Sequence, residues 1–157
     1  MNDVLSFFEG LVLVSDREKL IDQIEMVRRE IFAVSNSETL EQTLKKQLSE
    51  SRAKEFFLYL SKYKKNIYDG HIIEEILESL RGKAMDLDVI RLSLAIDMSR
   101  SEISELHTKL TEQLNQRVLL DVHIEPSLLG GLRLEYNGVY LDLSLSTRIK
   151  GMIQPSR

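Results

Sequence analysis

The chain of 157 residues contains no cysteine, which excludes disulfides, thiol nucleophiles and thiolate metal sites together and suits a reducing compartment. Proline is nearly as scarce: Pro126 is the first of two, so no proline breaks a helix before that point. Basic charge is not in excess. With a net charge of −4 and a pI of about 5.5, the chain has no global attraction toward nucleic acid or anionic lipid. Long apolar runs are missing as well. Stretches such as Gly10 to Val14 fall far below the roughly 20 residues of a membrane span, so no membrane insertion is expected. Met1-Asn2-Asp3-Val4 has neither the basic start of a secretory signal nor the Arg-rich character of a transit peptide, which predicts a cytoplasmic protein.

What is present is a balance of 43% hydrophobic and 29% charged residues, suited to a globular chain of one medium domain or two small ones. The first half is written in helical period. Leu20, Ile24, Val27 and Ile31 form one apolar stripe that Asp16 opens. Leu40, Leu44 and Leu48 form a second behind Ser37 as a cap. Phe56, Phe57, Leu60 and Tyr63 follow, and Ile73, Ile76, Leu77 and Leu80 make a fourth. Only Gly10, Gly70 and Gly82 punctuate this region, so a helical bundle is predicted over residues 1–84.

After Gly82 the period changes from about 3.6 to 2. Ile90, Leu92, Leu94 and Ile96 alternate with polar neighbours as in a half-buried strand. Ser99-Arg100-Ser101-Glu102 has the form of a capping box, and Ile103, Leu106, Leu110 and Leu114 line the helix behind it. Two more alternating runs follow: Val118, Leu120, Val122, Ile124, and then Leu132, Leu134, Tyr136. Asn137-Gly138 suits a tight hairpin, with Val139, Leu141, Leu143 and Leu145 as the returning strand. The fold class is therefore α+β: an N-terminal helical bundle, then a strand-helix-strand-hairpin domain over 85–157 in which one helix covers one sheet face.

Side chains with chemical potential are present but not grouped. His71, His107 and His123 lack a second ligand at helical or hairpin spacing, so they read as surface or packing residues and no metal is expected. Glu74-Glu75 and Asp86/Asp88 read as solvated charge, because helical neighbours point to different faces. Lys62, Lys64 and Lys65 interleave with Tyr59, Tyr63 and Tyr68 in a pattern that single-strand binders use. On an acidic chain this reads instead as a cationic helix end, favourable to the dipole, and no nucleic acid is predicted. Gly130-Gly131 lacks the lysine and the strand-to-helix context of a phosphate loop, so no nucleotide, cofactor or small-molecule substrate is predicted.

Glu125-Pro126-Ser127-Leu128-Leu129-Gly130-Gly131 lies between the second and third strands as a loop, since proline cannot join a central ladder and paired glycines allow a close turn. This heptad resembles the Asp-Pro-Ser-Leu-Ile-Gly-Gly signature of the ATP synthase delta subunit family, known in mitochondria as the oligomycin-sensitivity-conferring protein. Asp142-Leu143-Ser144 stands where that family has Asp-Gly-Ser, and Thr147 to Ile153 is similar to its short last helix. The resemblance spans about residues 53 to 153. Glu125 replaces the family's aspartate, Leu143 replaces its glycine, and the family's opening Tyr-Ala-x-Ala-Leu helix has no counterpart.

The resemblance implies a non-catalytic peripheral-stalk subunit of a proton-translocating F-type ATP synthase, held at the inner face of the cell membrane through the complex. It implies that the helical domain grips the N-terminal helices of the alpha subunits and that the α+β domain holds the C-terminal helices of the b subunits. It assigns Glu125, Pro126, Ser127, Leu128, Leu129, Gly130, Gly131, Asp142 and Ser144 a structural or partner-binding role. The alternative is an adaptor that shares the C-terminal domain and binds other helices.

Overall fold

The computed structural model describes residues 6–33, 40–62 and 70–153. Within them the chain forms α1 (Val14–Ala33), α2 (Leu40–Gln47), α3 (Glu50–Lys62) and α4 (Gly70–Met85). Strand β1 (Asp88–Leu94), helix α5 (Arg100–Leu114), β2 (Val118–Ile124), β3 (Leu132–Tyr136), β4 (Val139–Asp142) and α6 (Leu145–Ile153) follow. This is the α+β architecture expected, with helices first and a sheet after them. Two compact units result. One gathers the described residues up to Leu11 with Ser15–Asp86, and the other gathers Val12–Val14 with the described residues from Leu87 onward.

In the helical unit the predicted stripes are core: Leu20, Ile24, Val27, Leu44, Leu48, Phe56, Ile73, Ile76, Leu77 and Leu80 are all buried, while Ile31 and Phe57 are half-buried. Asp16 sits inside the first turn of α1 rather than before it, where its charge favours the helix N-terminus. Polar ties join α1 to each of its neighbours: Arg28 donates to Glu74 of α4, Arg52 to Gln23, and Gln47 of α2 to Glu30. Ser37, Tyr63, Lys64, Lys65 and Tyr68 lie outside the described residues.

The second unit is a four-stranded sheet in the order β2-β1-β3-β4. β1 and β2 run parallel, which requires the crossover that α5 supplies, and β3 pairs antiparallel with both β1 and β4. The capping box is formed as read. Glu102 N–H donates to Ser99 Oγ at 3.3 Å and Ser99 N–H to Glu102 Oε2 at 2.8 Å, and the Ser99 bonds hold the Glu102 carboxyl below its usual range. Val12, Ile90, Ile103, Val118 and Leu120 form one buried cluster between α5 and the sheet, with Leu110, Val122, Leu134 and Tyr136 packed around it. His107 on α5 ties helix to sheet, its Nε2 donating to the Val118 carbonyl at 2.9 Å.

Three expectations are corrected. Ile96 leaves the strand and is 75% exposed, because β1 stops at Leu94 and the chain bends there. Ile124, at the far end of β2, is also exposed. The return strand is only four residues long, and Val139, Leu141, Leu143 and Leu145 are exposed rather than buried. Val139 and Leu141 oppose Tyr136 and Leu134, so they continue the helix-covered side of the sheet. However, α5 packs over β2, and one helix cannot reach across four strands to cover the edge. The other edge is handled differently. Leu120 N–H donates to the Val12 carbonyl at 2.8 Å, and Leu13 bridges Leu120 in parallel, so residues ahead of α1 cover β2.

Candidate docking site

The heptad builds one corner of the sheet. Glu125 leaves β2 with its N–H on the Leu94 carbonyl, 2.7 Å away, and Pro126–Leu128 form a single 3-10 turn in which proline's missing N–H costs nothing. The turn buries Leu128 completely and turns Leu129 out. Leu129 takes a left-handed conformation, φ 62°, and is 65% exposed. Gly130 and Gly131 then lie against the residues after β4: Leu145 N–H donates to Gly130 O at 2.9 Å and Leu143 N–H to Leu132 O at 2.9 Å. At Gly131 φ is +75° and a Cβ would stand 2.3 Å from the Leu143 carbonyl oxygen, so only glycine fits.

Asp142 and Ser144 start the last helix. Ser144 is fully buried, and its Oγ accepts the Thr147 N–H at 3.3 Å, the bond of a helix N-cap. Asp142 accepts from Ser144 N–H at 2.9 Å and from Thr147 Oγ1 at 3.0 Å. The Ser144 bonds foremost, then those from Thr147 and the charge of Arg133, bring the Asp142 carboxyl down to about 2.

Arg133, which sequence reading passed over, joins the two motifs. Its Nη1 lies 2.9 and 3.0 Å from the two Glu125 oxygens, its Nε lies 3.4 Å from Asp142 Oδ2, and its guanidinium stands 5.6 Å from the centre of the Tyr140 ring. Ser127 Oγ donates to Glu125 at 3.0 Å; this bond first, and then Arg133, hold the Glu125 carboxyl below its usual range. Strand pairing is the signal that was missing, since Arg133 and Asp142 are partners only in the β3–β4 register. All nine heptad and Asp-x-Ser residues thus come together around one corner, from Glu125 to the first turn of α6.

Beside that corner the surface is apolar. On α6, Leu145, Ile149 and Met152 fall at spacings of four and three and are exposed, Met152 by 79%. Leu129 and Leu143, chain neighbours of residues in that corner, are exposed too, and Val139 and Leu141 are exposed on the β4 edge. A stripe of this kind on a helix is normally buried, and its exposure makes it a candidate docking surface. The remaining polar clusters are structural in form. His123 pairs with Asp121, Glu74 with Arg28, and Asp88 accepts from Tyr136 and Gln116. Among the described residues no group of His, Asp and Glu is placed to hold a metal, and no helix is long and apolar enough to cross a membrane.

The model of the ATP synthase delta (OSCP) subunit family matches residues 7–154, so the likeness extends through the helical region and not only from residue 53. The chain is similar to the ATP synthase subunit delta of Clostridioides difficile, 28% identical over 90% of this chain and 82% of that one. It is also similar to the subunit delta of Clostridium botulinum strain Loch Maree, 26% identical over 88% of this chain and 86% of that one. Among solved structures, the Toxoplasma gondii mitochondrial ATP synthase hexamer includes a chain that aligns over 88% of both lengths at 16% identity, with a TM-score of only 0.37. The chain belongs to the ATP synthase delta (OSCP) subunit family, the structural, non-catalytic subunits of the peripheral stalk.

Proposed function

We propose that this chain ties the catalytic head of a proton-translocating F-type ATP synthase to its b subunits, holding the head still against rotor torque and so coupling proton flow to ATP synthesis. The helical unit, residues 1–84 in the sequence reading, takes the N-terminal helices of the alpha subunits. The unit from about residue 85 takes the C-terminal helices of the b subunits. The protein then lies on the cytoplasmic, inner face of the cell membrane through the complex.

The observation that carries this reading is the exposed Leu145, Ile149 and Met152 stripe, set on a helix that Asp142 and Ser144 start and that the heptad corner braces. An apolar helical stripe next to exposed leucines accepts a second amphipathic helix by side-chain interdigitation. Heptad and Asp-x-Ser residues serve this role by shaping the surface, with Leu129 reaching into it. Tagged full-length chain purified from native membranes tests the reading. Recovery of alpha and b subunits is expected, and recovery of neither overturns it.

A further inference from the structure

The end of the chain is basic where the rest is not. The fifteen residues after Asp142 contain Arg148, Lys150 and Arg157 and no Asp or Glu, although the whole chain carries −4. Arg148 and Lys150 lie on α6, either side of the stripe of Leu145, Ile149 and Met152, since one precedes and the other follows Ile149 by a single residue of about 100°. Both are exposed. Elsewhere in this unit cations are engaged: Arg91 with Glu135, Lys109 with Glu105, and Arg133 with Glu125 and Asp142. Among the described residues, no carboxylate lies within ion-pair reach of Arg148 or Lys150.

An apolar stripe bordered by two cations that meet no carboxylate among the described residues is complementary to one kind of helix. We propose that α6 selects a partner helix whose own apolar stripe is bordered by Asp or Glu, with Arg148 and Lys150 pairing those carboxylates at the rim. This rests on the reading that the α6 face docks stalk helices, and it adds the chemistry by which the correct helix is chosen. The apolar contacts supply most of the affinity. The rim charges supply the choice, because a helix bordered by Lys or Arg is repelled by like charge when it packs in the same place. Leu145 N–H is held by Gly130 and the helix start by Ser144, so the two cations are presented from a fixed turn rather than a loose tail.

The test uses the full-length chain and two synthetic amphipathic peptides of equal length and identical leucine stripe, one bordered by Glu and the other by Lys. The wild-type chain binds the Glu-bordered peptide about tenfold more tightly at low salt, and the preference shrinks as ionic strength rises. Arg148→Gln with Lys150→Gln abolishes the preference, and Arg148→Glu with Lys150→Glu inverts it, with circular dichroism checking that each variant keeps its helices. If the reversal variant does not fold, the glutamine pair decides alone. Equal binding of both peptides by the wild type overturns the proposal, as does a preference that survives in the glutamine pair. Co-purification with b subunits in the absence of any peptide preference overturns only this inference. Preference for the Glu-bordered peptide without recovery of either alpha or b subunits overturns the stalk reading and leaves the charge selection standing.

Discussion

Arg133 on β3 and Glu125 at the end of β2 form a two-oxygen contact, 2.9 and 3.0 Å from a single guanidinium nitrogen, and this contact pins the proline corner to the sheet. The same guanidinium reaches Asp142 on β4, so one side chain braces the loop and the start of α6. Arg133→Met leaves two carboxylates without their cation. The expected result is a melting temperature lowered by a few degrees and faster amide exchange over residues 127–131, with exchange in α1 and α4 unchanged. Unaltered exchange in the corner contradicts the bracing role.

Gly131→Val places a side chain where the Leu143 carbonyl already stands and forces a branched residue to positive φ. We expect a loss of about 2 to 3 kcal/mol or more, read by denaturant unfolding of the full chain. Gly138→Asn is the control. Gly138 also has positive φ, but it has open space around it in a hairpin turn, and asparagine tolerates that conformation, so about 1 kcal/mol or less is expected. Equal costs at the two glycines count against the close approach at Gly131.

Adjacent leucines separate folding from docking. Leu128 is completely buried and Leu128→Ala should cost about 2 to 5 kcal/mol. Leu129 is 65% exposed, and Leu129→Ala should change stability by no more than about 0.5 kcal/mol while weakening capture of b subunits. Loss of stability without loss of capture at Leu129 reverses the assignment.

Acid should loosen the start of α6. The Asp142 carboxyl is lowered from 3.8 to about 2 by the Ser144, Thr147 and Arg133 contacts. A depressed folded-state value means that the unfolded chain binds the proton first, so this stabilisation is complete above the unfolded value near 4 and is lost as pH falls toward 2. Asp142→Asn removes this part of the pH dependence, and its stability falls less steeply than that of the wild type between pH 4 and 2. Parallel wild-type and mutant profiles across that window exclude the role.

What the sequence by itself determined is whatever rests on near neighbours. Leu20, Ile24 and Val27 share a face because a helix turns every 3.6 residues, Ser99 and Glu102 cap because they are three apart, and Asn137-Gly138 turns because both residues accept positive φ. The heptad was legible as a loop for the same reason, whereas Asp142 and Ser144, read by alternation as part of the return strand, were singled out only by the family resemblance. Tertiary structure alone decided which distant segments meet. It put Val12 and Leu13 on the edge of β2, brought Arg133 to both Glu125 and Asp142, and left Val139 and Leu141 outside the reach of α5. An alternating strand reports that one face is apolar, but whether anything covers that face depends on strand order and helix placement. Those follow from pairings dozens of residues apart, which no local period encodes.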